Sequence, residues 1–327
     1  MLLHPLECPG GYVVKTGPIM EFADMVTEAL QGLDLGMSAT ALTRIGKSTA
    51  IHHVGMKFQE KQTAVWRFWS LADYQTAKKP NEFLRALRGD LDGEDAGLVQ
   101  QKPLQALLNF CQVECDRLKT SVVVFGLDEA QYLSLGQLDI LKDVTNKLVM
   151  LGLRPFVLMM AQPEMKHLRD LLFESGHPDL VARFMNKQFV LRGLRAGDVV
   201  AFCRTIDELT WPAGSPVTYT AHWVPNLWRS GWRMAAAGAP LWDAFTRLAK
   251  EMHIGTDNLE VGGQYVADAV LRLLRLLQQN PRGTEQVATY DAAVRASGFA
   301  EFAKVAVMSR EAFRSARARR HWSMSRQ

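Results

Sequence analysis

The stretch whose reading decides the fold is "TALTRIGKSTAIHHV", residues 40–54. Its loop ends in Gly46-Lys47-Ser48-Thr49 and runs straight into "AIHHVGMKFQEK", which has helical spacing. Before it stands "LGMSATAL", short, apolar and made of small residues, which reads as a strand. Strand, glycine-bearing loop and helix in that order let backbone N–H groups at a helix N-terminus converge on an anion. In such a loop Lys47 would reach the outer phosphates of a nucleoside triphosphate and the Ser48 hydroxyl would ligate magnesium, with Thr49 on the first helical turn. The pattern also asks for a glycine five residues before Gly46, where this chain has Ala41. That glycine mainly serves backbone conformation, so alanine fits wherever φ is negative, and the loop is read as working.

Gly-Lys-Ser alone occurs by chance, and the weight comes from a second segment. "SVVVFGLDEAQ", residues 121–131, is a buried strand that ends in acids, about 80 residues beyond Lys47. Asp128 at the strand end can hold a magnesium shell, and Glu129 can polarise a water for attack on a γ-phosphate. Read alone, the Asp-Glu pair fits a helix N-cap equally well. With the loop upstream, the two segments together predict a site for ATP and magnesium.

Around these segments the pattern is regular. "TAVWRFWSL", "RPFVLMMAQ" and "NKQFVLRGL" read as further strands, and "NEFLRALRGDL", "PLQALLNFCQVECDRLK", "LGQLDILKDVTNKLVMLG" and "MKHLRDLLFESG" as helices. Strands alternating with helices predict an α/β fold, a parallel sheet sandwiched by helices. From Ala196 onward the strands stop and four helical segments follow, interrupted by a stretch rich in Pro, Gly and Trp that holds Trp211, Trp223, Trp228 and Trp232. Those tryptophans fit either the core of a second domain or anchors for a partner. The expected layout is an α/β nucleotide-binding domain over residues 1–195, a smaller helical domain over 196–308 and a basic tail over 309–327.

Charge supports the separate tail. The formal net charge is +4, but residues 309–327 hold six Arg and one Glu, a local +5, which leaves −1 for the rest. Such a tail suits an acidic partner, nucleic acid or protein. No apolar run approaches the ~18 residues of a membrane helix, and the N-terminus lacks a signal-peptide pattern. The expectation is a cytoplasmic protein with no membrane partner. Of the four cysteines, Cys111 and Cys115 sit one helical turn apart. With no second pair at ligand spacing, they read as buried thiols rather than a metal site.

"TRIGKST", "LDEAQYL", "VLMMAQPEM" and "LVARFMNKQFVLRGL", in that order, resemble the AAA+ ATPases of the TniB/TnsC type, ATP-dependent regulators of DNA transposition in Tn-seven-like and related elements. The resemblance covers roughly residues 35–210. It implies an AAA+ fold with a helical lid, ATP hydrolysis with magnesium, and a homo-oligomeric ring or filament on double-stranded DNA. It also implies two protein partners, a transposase and a target-selection protein. By motif, Gln162 matches the sensor that reads the γ-phosphate and the attacking water. Arg183 matches the arginine that reaches a neighbouring subunit's site, although a surface salt bridge also fits it. The second sensor of many AAA+ lids, an arginine in Gly-x-x-Arg, has no counterpart in "VGGQYVADAVLR". Lys78, Lys79, Arg85 and Arg88 follow the second strand and offer sequence-independent contacts to DNA phosphates, or else a solvated surface. The reading from another class is a signalling or defence ATPase that switches without DNA. A replication initiator fits less well, because no helix-turn-helix pattern is evident.

Overall fold

The computed structural model describes residues 3–8, 11–71, 79–89, 102–212 and 214–301. They divide into two compact units, residues 17–192 and residues 3–16 with 193–301.

The first unit is built on a five-stranded parallel sheet in the order β2-β3-β4-β1-β5. The strands are β1 (Gly36–Thr40), β2 (Val65–Ser70), β3 (Val122–Asp128), β4 (Arg154–Ala161) and β5 (Lys187–Val190). The connections carry α1 (Gly17–Gln31), α2 (Lys47–Lys61), α3 (Pro80–Arg88), α4 (Pro103–Leu118), α5 (Leu135–Met150), α6 (Met165–Glu174) and α7 (Pro178–Phe184), with α1 preceding β1. The near-continuous apolar runs of β3 and β4 serve both faces, because side chains alternate along a strand. Val124, Phe156, Leu158 and Met160 pack with Phe22 and Val26 of α1 and Ile51 and Val54 of α2. Their strand neighbours Val123, Phe125, Leu127, Val157 and Met159 pack with Phe83, Leu107, Leu138, Leu141 and Phe184 on the other face.

One packing detail sets how α2 lies on the sheet. A Cβ on Gly126 of β3 would fall 2.4 Å from Cη2 of Trp66, and one on Gly55 of α2 would fall 2.4 Å from its Cε2. The Trp66 indole therefore occupies the space that both glycines leave between helix and sheet. Gly126 stands two residues before Asp128, and Gly55 lies on the helix that Lys47 and Ser48 begin.

The second unit is helical, with α8 (Ala196–Glu208), α9 (Tyr219–Trp223), α10 (Pro225–Arg229), α11 (Gly238–Glu251), α12 (Gly263–Gln279) and α13 (Val287–Arg295). Its core combines Phe202, Leu241, Phe245, Val270, Leu273 and Val294. The chain start packs here, whereas the sequence pattern places residues 1–16 in the α/β domain. Leu6 and Val14 join this core, and Arg275 pairs with Glu7 at 2.7 Å. The His4 Nδ1 accepts hydrogen bonds from the Leu6 N–H and the Trp223 Nε1–H, each at 3.2 Å. Trp211 and Trp232 pack against the same core, and the Arg233 guanidinium lies 3.5 Å from the Trp228 ring centre. The Trp-rich stretch thus contributes to the packing of this unit. The far end of the expected helical domain, 302–308, and the basic tail lie outside the described residues.

Burial pushes the Cys111 thiol up to about 12 and the Cys115 thiol up to about 11, which leaves both protonated and inert. No helix among the described residues is long and apolar enough to cross a membrane.

Two outcomes are expected from these contacts. Gly126→Ala should lower stability by about 1–3 kcal/mol, the usual cost of overpacking, and the loss should shrink in a Trp66→Phe background; denaturant unfolding of the full chain measures both. Burial pushes His4 down from 6.5 to about 4, helped by repulsion from His222 and opposed by Glu7. Unfolded, the same ring takes its proton near 6.5, so the unfolded chain binds more protons across this window. Stability contributed by neutral His4 should be lost as pH falls from 6.5 towards 4. Unfolding of wild type and His4→Gln across that range should show the wild type losing more.

Candidate functional site

The candidate residues gather at the C-terminal ends of three adjacent strands, where open parallel sheets place their ligand sites. After β1 the chain turns through residues 41–46 into α2. Ala41 is buried and its N–H donates to the Ala161 carbonyl at 3.1 Å. Its φ is not positive, so a Cβ costs nothing there. The left-handed turns fall on Arg44, φ 63°, and Gly46, φ 117°. A Cβ on Gly46 would meet nothing within 4 Å, so backbone conformation alone calls for glycine there. Lys47 and Ser48 open α2, so the free N–H groups of its first turn lie beside their side chains.

β3 ends on Asp128, which is buried. The Ser48 Oγ–H donates to Asp128 Oδ2 at 2.7 Å, and the Glu129 N–H donates to its Oδ1 at 2.9 Å. Glu129 itself is left-handed, with φ 54° and ψ 38°, a conformation that non-glycine residues adopt mainly where surroundings enforce it. Its Oε1 lies 3.8 Å from the Lys47 Nζ, and the Lys47 side chain is 7% exposed. Gln162, the residue after β4, donates from Nε2 to Glu129 Oε2 at 3.1 Å. Lys47, Ser48, Asp128, Glu129 and Gln162, far apart along the chain, form one cluster. Thr49 follows them on α2.

The cluster also contains Gln131, which the sequence pattern does not single out. It donates from Nε2 to Glu129 Oε2 at 2.5 Å and accepts the Gln162 N–H on Oε1 at 3.0 Å. Its signal is present in "DEAQ", but only the approach of the β4 end gives the amide a purpose.

The donor set suits a hard divalent cation. The Ser48 hydroxyl keeps acceptor lone pairs while it donates, and Asp128 offers carboxylate oxygens beside it. Lys47 supplies positive charge, α2 supplies its N-terminal dipole, and Glu129 supplies a carboxylate able to take a proton.

Arg183 is not brought into this cluster. It lies on α7, where its Nη1–H donates to Asn146 Oδ1 at 2.6 Å and Thr145 Oγ1 at 3.3 Å, both on α5. The basic candidates on α3 are only partly available. Lys79 is 81% exposed and pairs loosely with Glu82, and Arg85 is exposed, but Arg88 is half-buried. Lys78 lies outside the described residues.

The loop geometry assigns different consequences to its two glycine positions. Gly46→Ala should weaken binding of a phosphate-bearing nucleotide at least about tenfold, because a methyl there strains the left-handed turn. Ala41→Gly should leave that binding within about twofold while costing at most about 1 kcal/mol of stability. Titration with a fluorescent nucleotide, beside thermal unfolding, checks both.

The AAA domain family model matches residues 35–168, from the start of β1 into α6. No curated protein sequence matches the chain. The fold is similar to the ORC2 protein of Aeropyrum pernix in its ADPNP-ADP complexes, at 13% identity over 88% of this chain and 70% of that one, TM-score 0.58. It is also similar to Cdc6p of Pyrobaculum aerophilum, at 12% identity over 86% and 67%, TM-score 0.52. The five-stranded parallel sheet, its flanking helices and the helical C-terminal region are an AAA+ ATPase fold.

Proposed function

We propose that this chain is an ATP-hydrolysing regulator of DNA transposition that oligomerises on target duplex and recruits a transposase. The observation that carries the ATPase part is the convergence of Lys47, Ser48, Asp128, Glu129 and Gln162 at the ends of β1, β3 and β4. Two further findings support it, the AAA domain match over that stretch and the likeness to an ORC2 protein described with ADPNP and ADP.

In this reading the loop N–H groups and Lys47 hold the phosphates, with residues 41–49 as the cradle. Ser48 and Asp128 hold magnesium, which when bound offsets phosphate charge. Glu129 takes the proton of the attacking water, and Gln162 senses the γ-phosphate from the neighbouring strand end. Phosphates and Glu129 compete for the one Lys47 ammonium, so a bound nucleotide would draw that cation away from Oε1 and leave the oxygen free to act as a base.

The assembly part rests on the resemblance to the TniB/TnsC type. Arg183 would serve a neighbouring subunit's site. Its bonds to Thr145 and Asn146 hold the guanidinium in one place, which suits a group that must meet a partner's phosphate. Lys79 and Arg85 supply exposed charge for DNA phosphates. Lys78 and the tail would add to nucleic-acid or transposase contacts, and a target-selection protein would choose the site.

Three proteins and one duplex test the proposal. Lys47→Ala should lose ATP binding, and Glu129→Gln should retain binding while hydrolysis falls at least about a hundredfold. Gel shifts with non-specific duplex should show binding by wild type that requires ATP and weakens steeply with salt. Normal hydrolysis by Glu129→Gln would contradict the assignment of the base. Hydrolysis without any ATP-dependent DNA binding would instead favour a nucleotide switch that acts without DNA.

A further inference from the structure

Glu129 has two carboxylate oxygens in different surroundings. Oε1 faces Lys47 at 3.8 Å. Oε2 accepts from two side-chain amides, Gln131 at 2.5 Å and Gln162 at 3.1 Å. The orientation of the Gln131 amide is fixed by what its partners can do. The Gln162 N–H can only donate, so it takes the Gln131 oxygen at 3.0 Å, and the ionised carboxylate can only accept, so it takes the nitrogen. Gln131 thereby bridges the end of β3 to the end of β4. Neither Glu nor Met could replace it, since the first loses the donor and the second loses both functions.

We propose that Gln131 is a positioning residue for hydrolysis, which ties down Glu129 Oε2 so that Oε1 is the oxygen that activates water. This rests on the ATPase reading above. An oxygen that accepts two N–H bonds is a poorer proton acceptor than its partner, because its lone pairs are already engaged. The tie also restrains rotation of the carboxylate, because both amides hold the same oxygen. Packing does not do this work for Gln131. Gln131 and Gln162 line a cavity of about 470 Å³ together with Tyr132, His167 and Leu171, so the outer side of the bridge is open. The two hydrogen bonds are what fix the amide, and its replacement should leave the fold in place.

The test uses Gln131→Met and Gln131→Glu in the full chain, with nucleotide affinity and kcat measured separately beside wild type. Gln131→Met should bind a fluorescent ATP analogue within about threefold of wild type while kcat falls about tenfold or more. Gln131→Glu should bind similarly, and because it loses the amide donor to Oε2 its kcat should fall at least as far. A side chain that merely supports the fold would lower kcat and affinity together. Unchanged kcat in Gln131→Met, or affinity that falls in step with kcat, would overturn the proposal while wild-type hydrolysis leaves the ATPase reading standing. A wild type that hydrolyses no ATP would remove both.

Discussion

The Ser48 hydroxyl and the Asp128 carboxylate meet at 2.7 Å although 80 residues separate them. That contact exists because β4 lies between β1 and β3 in a parallel sheet, so the exits of all three strands fall side by side. A different strand order would leave the Gly-Lys-Ser loop and the acidic strand end as unrelated surface features. The sheet is in turn held to α2 by the Trp66 indole lying against Gly55 and Gly126. The placement of α2 on the sheet therefore reaches the site through the first turn of the helix.

The electrostatics of the cluster follow from the same geometry. A 7% exposed lysine would be costly without a partner, and the Glu129 carboxylate provides one at 3.8 Å. That carboxylate is shared further with two amides, so lysine, glutamate and the two glutamines act as one hydrogen-bonded and charged unit. Such networks are worth more than their separate pairs, and removal of any member leaves others unsatisfied. The fold likeness to ORC2 and Cdc6p, at 12–13% identity, shows how little sequence the sheet and its flanking helices need to keep.

Much of this is legible in the sequence for physical reasons. The apolar runs of β3 and β4 admit one reading once helices flank them, and Gly46-Lys47-Ser48 and Asp128-Glu129, paired in the sequence reading, do meet in the fold. Ala41 raises a question that only φ can answer, and an angle outside the left-handed region answers it. What stays hidden depends on contacts distant in sequence. Gln131 looks like any polar residue after a strand until the Gln162 N–H is beside it. The membership of residues 3–16 turns on His4 meeting Trp223, 219 residues away, and no local pattern reports that. Gly126 looks like a weakness in a strand until Trp66 is seen to fill its space. The hydrogen bonds of Arg183 to Thr145 and Asn146 likewise join two helices that no local pattern connects.

The central claim is that the ends of β1, β3 and β4 form one site for ATP and magnesium. The most direct measurement is a structure of the full chain with magnesium and a non-hydrolysable ATP analogue. The expected result has the outer phosphates against Lys47 and the loop N–H groups, magnesium held by Ser48 and Asp128, and Glu129 Oε1 turned toward the γ-phosphate with Oε2 still bound to Gln131 and Gln162. An analogue seated elsewhere, or one whose phosphates leave Lys47 paired with Glu129, would contradict it.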